Sequence, residues 1–186
     1  MRAVWYNKFG PAEDVLETGD YQTPEPARGD VKVRINASGV NPSDTKKRVG
    51  ANPALLNNGP VIPNSDGSGE IVALGENVNN RNIGERVWIY NAQFGRQEGT
   101  SAQYVCVPSD QAVWMPDNAS YERGAMMGIP AMTAHRCVCA DGSVDGQVLL
   151  VTGGAGRVGY YAIQWAKYFR ATVIATGSST KSVEHC

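Results

Sequence analysis

Alternation of apolar and polar residues dominates the first two-thirds of the chain. Between residues 30 and 40, Val31, Val33, Ile35 and Ala37 alternate with Lys32, Arg34 and Asn36, the period of two expected of a half-buried strand. Shorter β-rich runs cover residues 1–6, 15–21, 67–74, 85–90 and 100–107. Turn formers separate them, including Phe9-Gly10-Pro11, Thr23-Pro24-Glu25-Pro26 and Gly84. Residues 50–64 hold three prolines with several Asn and Gly and are expected to form an irregular surface loop. Many short strands at this spacing predict a compact antiparallel barrel or sandwich.

The period then changes. Ser120, followed by Glu122 and Arg123, is placed to open a helix, and residues 124–134 are small and apolar. Pro130 has no amide donor, so it should break or begin a helical turn rather than continue one. After a loop at 142–146, residues 147–152 are continuously apolar and β-rich, as in a parallel strand covered on both faces. Val158, Tyr161, Ala162, Trp165, Ala166 and Phe169 then recur at three- and four-residue steps, one apolar stripe of a helix. Lys167 and Arg170 fall in its last turn, where cations complement the helix dipole. Residues 172–176 form a second β-rich run. Strand, glycine loop, helix and strand make a βαβ unit, and the chain has no internal repeat.

Composition narrows the function classes. Of 186 residues, 42% are hydrophobic and 19% charged, which argues against a disordered chain. With 17 basic against 18 acidic residues and a net charge of −1, an electrostatic nucleic-acid binder is not expected. No apolar run approaches the roughly 20 residues of a membrane helix. Residues 1–10 lack the basic-then-apolar order of a signal peptide. A cytoplasmic protein with no membrane partner is the expectation. The four cysteines (Cys106, Cys137, Cys139, Cys186) form no C-x-x-C pair and are read as reduced thiols. Of the two histidines, His135 and His185, His135 lies four residues before Cys139. A metal site needs three or four ligands, so this pair is read as buried or packing residues.

The richest motif is Gly153-Gly154-Ala155-Gly156-Arg157-Val158-Gly159. Gly153 and Gly154 allow a tight turn off the strand, and Gly156 lets backbone amides approach a pyrophosphate. Gly159 permits close helix–strand contact, with the anion at the helix N-terminus. The strand before and the amphipathic helix after supply the context that a bare glycine triplet lacks. At the end of the second strand stand Gly177, Ser178, Ser179, Thr180 and Lys181, with no acid before Glu184. An acidic residue there would hold the ribose diol of NAD. The hydroxyls of Ser178 and Ser179 with Lys181 favour NADPH instead, the alternative being a solvated loop.

Five motifs occur in order: Gly39-Val40-Asn41-Pro42-Ser43-Asp44, Asp66-Gly67-Ser68-Gly69, Gly84-Glu85-Arg86-Val87, Gly128-Ile129-Pro130-Ala131-Met132-Thr133-Ala134, and the glycine loop following Val151-Thr152. Across essentially the whole chain they resemble zinc-independent medium-chain dehydrogenases/reductases of the quinone oxidoreductase (zeta-crystallin) type. The resemblance implies an α/β plus β fold. A GroES-like β-rich catalytic domain (residues 1–124) would be followed by the first βαβ unit of a Rossmann domain (residues 125–186). It also implies NADPH-dependent reduction of quinones or other activated alkenes and carbonyls.

Zinc-dependent relatives place Cys, His and Cys where this chain has Asn41, Ser65 and Ile129, so no metal is expected. By the same resemblance Asn41 should lie near nicotinamide and substrate, and Thr133 should hydrogen-bond near the nicotinamide. A turn for Asn41 and a helix cap for Thr133 remain the structural alternatives. Many relatives carry a substrate-facing Tyr shortly after the Asn-Pro pair, where this chain has Lys46 and Lys47. Lys46 is a candidate to polarise a substrate carbonyl, although solvation of Lys46, Lys47 and Arg48 is the favoured reading. The intact protein is expected to be a homodimer acting on a small quinone or enone. Enal reduction is a close alternative. So is a non-catalytic fragment or binding module, because a dinucleotide fold of this kind uses about six strands and only two follow Gln147.

Overall fold

The computed structural model describes residues 1–186, the side chain of His185 excepted. The chain divides into two compact units, Met1–Ile129 and Pro130–Cys186.

The first unit is built on a five-stranded antiparallel sheet in the order β6-β3-β4-β5-β7. These are β3 (Asp30–Gly39), β4 (Asp66–Leu74), β5 (Arg86–Ile89), β6 (Tyr104–Pro108) and β7 (Ala112–Trp114). The alternation read between residues 30 and 40 sets the face of β3. Val31 and Val33 are fully buried while Arg34 and Asn36 are exposed. Val31 pairs with Val107 and Leu74, and Val33 with Val105 and Ile71, so one face gathers Val, Ile and Ala into the core with Val87, Ile89 and Ala112. A separate hairpin pairs β1 (Arg2–Trp5) with β2 (Glu17–Asp20).

Two local expectations are corrected. Residues 15–21 are not one strand: Ala12–Val15 make a helical turn, α1, which buries Val15 beside Tyr6, Leu55 and Val61. Residues 50–64 are not simply a surface loop. Pro53–Leu56 form a 3-10 turn, Val61 exchanges both backbone hydrogen bonds with Tyr6 at 2.8 and 2.9 Å, and Val61 and Ile62 are buried. Two apolar residues among prolines and glycines are too few to show a period. Residues 42–48, left without an element in the sequence analysis, form the helix α2 (Pro42–Arg48). Ser120 does open a helix, α3 (Tyr121–Ala125), its hydroxyl accepting from the Arg123 amide at 3.3 Å. A Cβ on Gly124 would lie 2.8 Å from Ser68 Cβ. That closeness ties α3 to the first unit and puts the division five residues beyond the expected boundary.

In the second unit, β8 (Val148–Val151) and β9 (Thr172–Ala175) pair in parallel, joined by α5 (Arg157–Tyr168). With α4 (Met132–Cys139), the helix buries Ala134, Val138, Ala162 and Ala166 against Leu149, Val151 and Val173. Only one face of this sheet is covered: Val148, Leu150 and Ile174 stay exposed. Pro130 sits in the wide turn Met127–Ala131, directly before α4. A last helix, α6 (Thr180–His185), follows β9. Among the described residues no helix is long and apolar enough to cross a membrane.

Candidate active site

In the first unit the polar residues Asn41, Asp44, Ser65, Asp66 and Gln93 are all buried, Asp66 completely. Polar groups withdrawn from water cost stability unless they are partnered, and most of these are. Asn41 is the N-cap of α2, with Pro42 at the first helical position, where a missing amide hydrogen costs nothing. The Asn41 backbone N–H donates to Asp44 Oδ2 at 2.8 Å, and its side-chain amide donates to Asp66 Oδ2 at 2.8 Å. The Ile129 N–H donates to the same Asp66 oxygen at 2.7 Å. Thr100 Oγ1 fixes the backbone there by donating to the Asp66 carbonyl at 2.6 Å.

Asp66 Oδ1 and Asp44 Oδ1 are buried with no hydrogen-bond partner among the described residues. Burial therefore dominates their titration. It pushes Asp66 up to about 6, against the pull of the Ile129 and Asn41 donors, with Asp44 adding repulsion and Lys47 opposing it. Burial raises Asp44 as well, opposed by the Asn41 backbone bond and by the charge of Lys47.

The two lysines of α2 differ in their surroundings. Lys46 is exposed on α2. Lys47 lies on the buried side of the same helix, and its Nζ donates to Ser65 Oγ at 3.2 Å and to Gln93 Oε1 at 3.1 Å. Gln93 is oriented in turn by its own amide, which donates to the Ile62 carbonyl at 3.1 Å. Solvation of all three basic residues is thus corrected. Lys47 is anchored, and Arg48 Nη1 donates to the Gly10 carbonyl at 3.0 Å. The turn expected as the alternative for Asn41 is the N-cap of α2, and the same residue's side chain also reaches Asp66. Asp66 belonged to a quoted motif, yet its own role went unread. An Asp just before a Gly-x-Gly strand start carries no period that announces burial.

The second unit holds the glycine loop. Gly153 has φ +66°, a left-handed conformation that glycine adopts without strain. A Cβ on Gly159 would lie 2.3 Å from the Gly153 carbonyl oxygen, so the first turn of α5 seats directly on the loop. Gly156 is the N-cap of α5, whose first amides lack partners inside the helix. A groove of about 400 Å³ opens here, lined by Gly153, Ala155, Gly156, Thr176, Gly177, Ser178 and Ser182. This concavity of backbone and hydroxyls fits a dinucleotide phosphate.

Two lining residues escaped the sequence reading. Thr176 clasps the loop, its Oγ1 accepting from the Gly153 N–H at 3.0 Å and its carbonyl from the Gly154 N–H at 2.9 Å. Ser182 lies one turn inside α6, a helix the sequence analysis did not place. Of the expected cofactor residues beyond the loop, Ser178 lines the groove. Ser179 caps α6, accepting from the Ser182 N–H at 3.2 Å, and Lys181 is exposed outside the lining. Arg157 and Val158 are exposed in the first turn of α5, and Thr133 is exposed as the second residue of α4.

Of the two roles expected for His135, burial or packing, the structure shows the second: it is exposed, with its ring edge-on to Trp165 at 4.9 Å. Its packing role stands. Among the described residues, no three His, Cys, Asp or Glu side chains converge as metal ligands.

Comparison with known proteins accords with both units. Residues 27–117 match the alcohol dehydrogenase GroES-like domain. A chloroplastic quinone-oxidoreductase homolog of Spinacia oleracea is 31% identical over 183 residues, 95% of this chain and 55% of that protein. A 2-methylene-furan-3-one reductase of Solanum lycopersicum is 30% identical over 189 residues, 99% of this chain and 49% of the relative. Among solved structures, a mycobacterial protein complexed with NADPH superposes with a TM-score of 0.85 at 28% identity, over 100% of this chain and 55% of that one. The chain spans about half the length of the curated relatives it matches. Its β-rich unit is GroES-like and its second unit is a Rossmann βαβ. Over about half of their length, this chain is similar to quinone oxidoreductase homologues, and its residues 27–117 match the GroES-like domain.

Proposed function

We propose that the protein transfers hydride from NADPH to quinones or other carbonyl-conjugated alkenes, without a metal. The observation that carries this reading is the glycine loop, whose tight turn and seated α5 open the phosphate-sized groove. When bound, NADPH would supply two electrons and one hydrogen as hydride. Gly153, Gly154, Ala155, Gly156, Arg157, Val158 and Gly159 would hold its pyrophosphate, with Ser178, Ser179 and Lys181 towards the adenosine ribose phosphate. Asn41 and Thr133 are the candidates for positioning the reacting groups, with Lys46 as a further candidate.

The names of relatives support the substrate class, one being a quinone-oxidoreductase homolog and another a furanone reductase. The complex of the mycobacterial neighbour supports the nucleotide. Nucleotide titration with turnover tests the reading. NADPH should bind more tightly than NADH and be oxidised in the presence of a quinone or enone series. Failure to bind either nucleotide would overturn the proposal, and binding without turnover would leave a binding module.

A further inference from the structure

The second unit has a further cavity, of about 460 Å³, away from the glycine loop. The groove residues follow β8 and β9 in the chain. The cavity residues precede those strands, Asp145 before β8 and Tyr168, Phe169 and Arg170 before β9. Because the strands run parallel, the two sites lie at opposite ends of the sheet. His135 and Cys139 of α4 join the lining. The rings of this wall hold one another: His135 packs edge-on to Trp165 and to Phe169, and Tyr168 edge-on to Phe169 at 5.2 Å. The loop opposite is tied down as well. The Gly146 N–H donates to the Arg170 carbonyl at 3.3 Å, and Gln147 Nε2 to the Ser143 carbonyl at 2.8 Å.

Arg170 stands where glycine is usual. Its N–H donates to the Lys167 carbonyl at 3.0 Å, and the Ala171 N–H to the Ala166 carbonyl at 2.9 Å, the paired bonds that close a helix through a left-handed residue. Arg170 takes that conformation, with φ +65°, at a steric cost that glycine would not incur. A strained residue in the lining of a cavity points to use rather than to packing. Its Nη2 donates to Asp145 Oδ2, so the carboxylate offsets the guanidinium charge and the pair has no net attraction for an anion. The side chain is otherwise exposed, and a guanidinium plane stacks on aromatic rings. We propose that this cavity binds an uncharged planar aromatic molecule, stacked on the Arg170 guanidinium and contacted by the His135, Tyr168 and Phe169 rings. Its volume and its aromatic lining with few polar groups are those of a small-molecule site. The inference is independent of the reading of the glycine loop.

Titration calorimetry with 2-naphthamide and 2-naphthoate, a neutral and an anionic ligand of one shape, tests it. The protein should bind 2-naphthamide with a dissociation constant of about 1 mM or below, and 2-naphthoate about tenfold more weakly because Asp145 repels it. Arg170→Gly should weaken 2-naphthamide about tenfold, the range of a cation–π contact. The same variant should melt no lower than the wild type, since glycine fits the helix end without strain. That combination separates an arginine kept for a ligand from one kept for the fold. Asp145→Asn should narrow the gap between the two ligands by leaving the guanidinium unopposed. Saturating NADPH should not displace 2-naphthamide, which distinguishes this cavity from the glycine-loop groove. No binding of 2-naphthamide, equal affinity for the two ligands, an affinity unchanged in Arg170→Gly, or displacement by NADPH would overturn the assignment.

Discussion

Asp66 shows what one buried carboxyl does to a fold. Its ordinary value of 3.8 rises to about 6 because burial disfavours the charged form more than the Asn41 and Ile129 donors restore it. The folded state thus holds the proton more tightly than the unfolded state. Stability from this group is full below its ordinary value and is lost as pH rises through about 6. A shift of that size corresponds to about 3 kcal/mol. Asp66→Asn should flatten the wild-type fall in unfolding free energy across this window, read by denaturant titration at a series of pH values. The same carboxyl explains a glycine. A Cβ on Gly128 would lie 2.1 Å from Asp66 Oδ1, so Gly128→Ala should lower stability by about 1–3 kcal/mol, the cost of overpacking. Thermal unfolding of the variant beside wild type measures it.

Helix phase decides which lysine is held. Asn41, Asp44 and Lys47 recur every third residue, and positions three apart share a helix face. Asn41 and Asp44 are buried and Lys47 is anchored, while Thr45 and Lys46 turn outward. The Asn-Pro-x-Asp start of α2 was readable as a capped helix. Reading it only as a motif hid the phase and left Lys47 among the solvated residues.

Elements with long, unbroken periods were plain in the sequence: β3 by its alternation and α5 by its apolar stripe. The turn at Pro53–Leu56, the three-residue β7 and α6 were not, since each is too short to show a period. The glycine loop makes its own prediction. With 2.3 Å between a Gly159 Cβ and the Gly153 carbonyl, Gly159→Ala must lift α5 from the loop. NADPH affinity should fall about tenfold or more as the close packing of the third glycine is lost, read by quenching of nucleotide fluorescence.

At the scale of the molecule, the division of labour follows from the two units. The GroES-like unit spends stability on a buried polar cluster that a purely structural sheet would fill with valine and isoleucine. The βαβ unit presents a phosphate-sized groove at the end of its strands, where ligands of open α/β sheets gather. Composition and motif order were enough to reach this fold class. The cluster was not, because its members come from α2, from the start of β4 and the residue before it, from the turn after β5 and from the Ile129 backbone, and only folding brings them together. The central claim is metal-independent hydride transfer from NADPH, and isotope tracing tests it most directly. With deuterium at the transferring C4 position and a chelator present, the account predicts one deuterium on carbon in the reduced enone, at undiminished rate. Product without deuterium on carbon, or a rate abolished by the chelator, would contradict it.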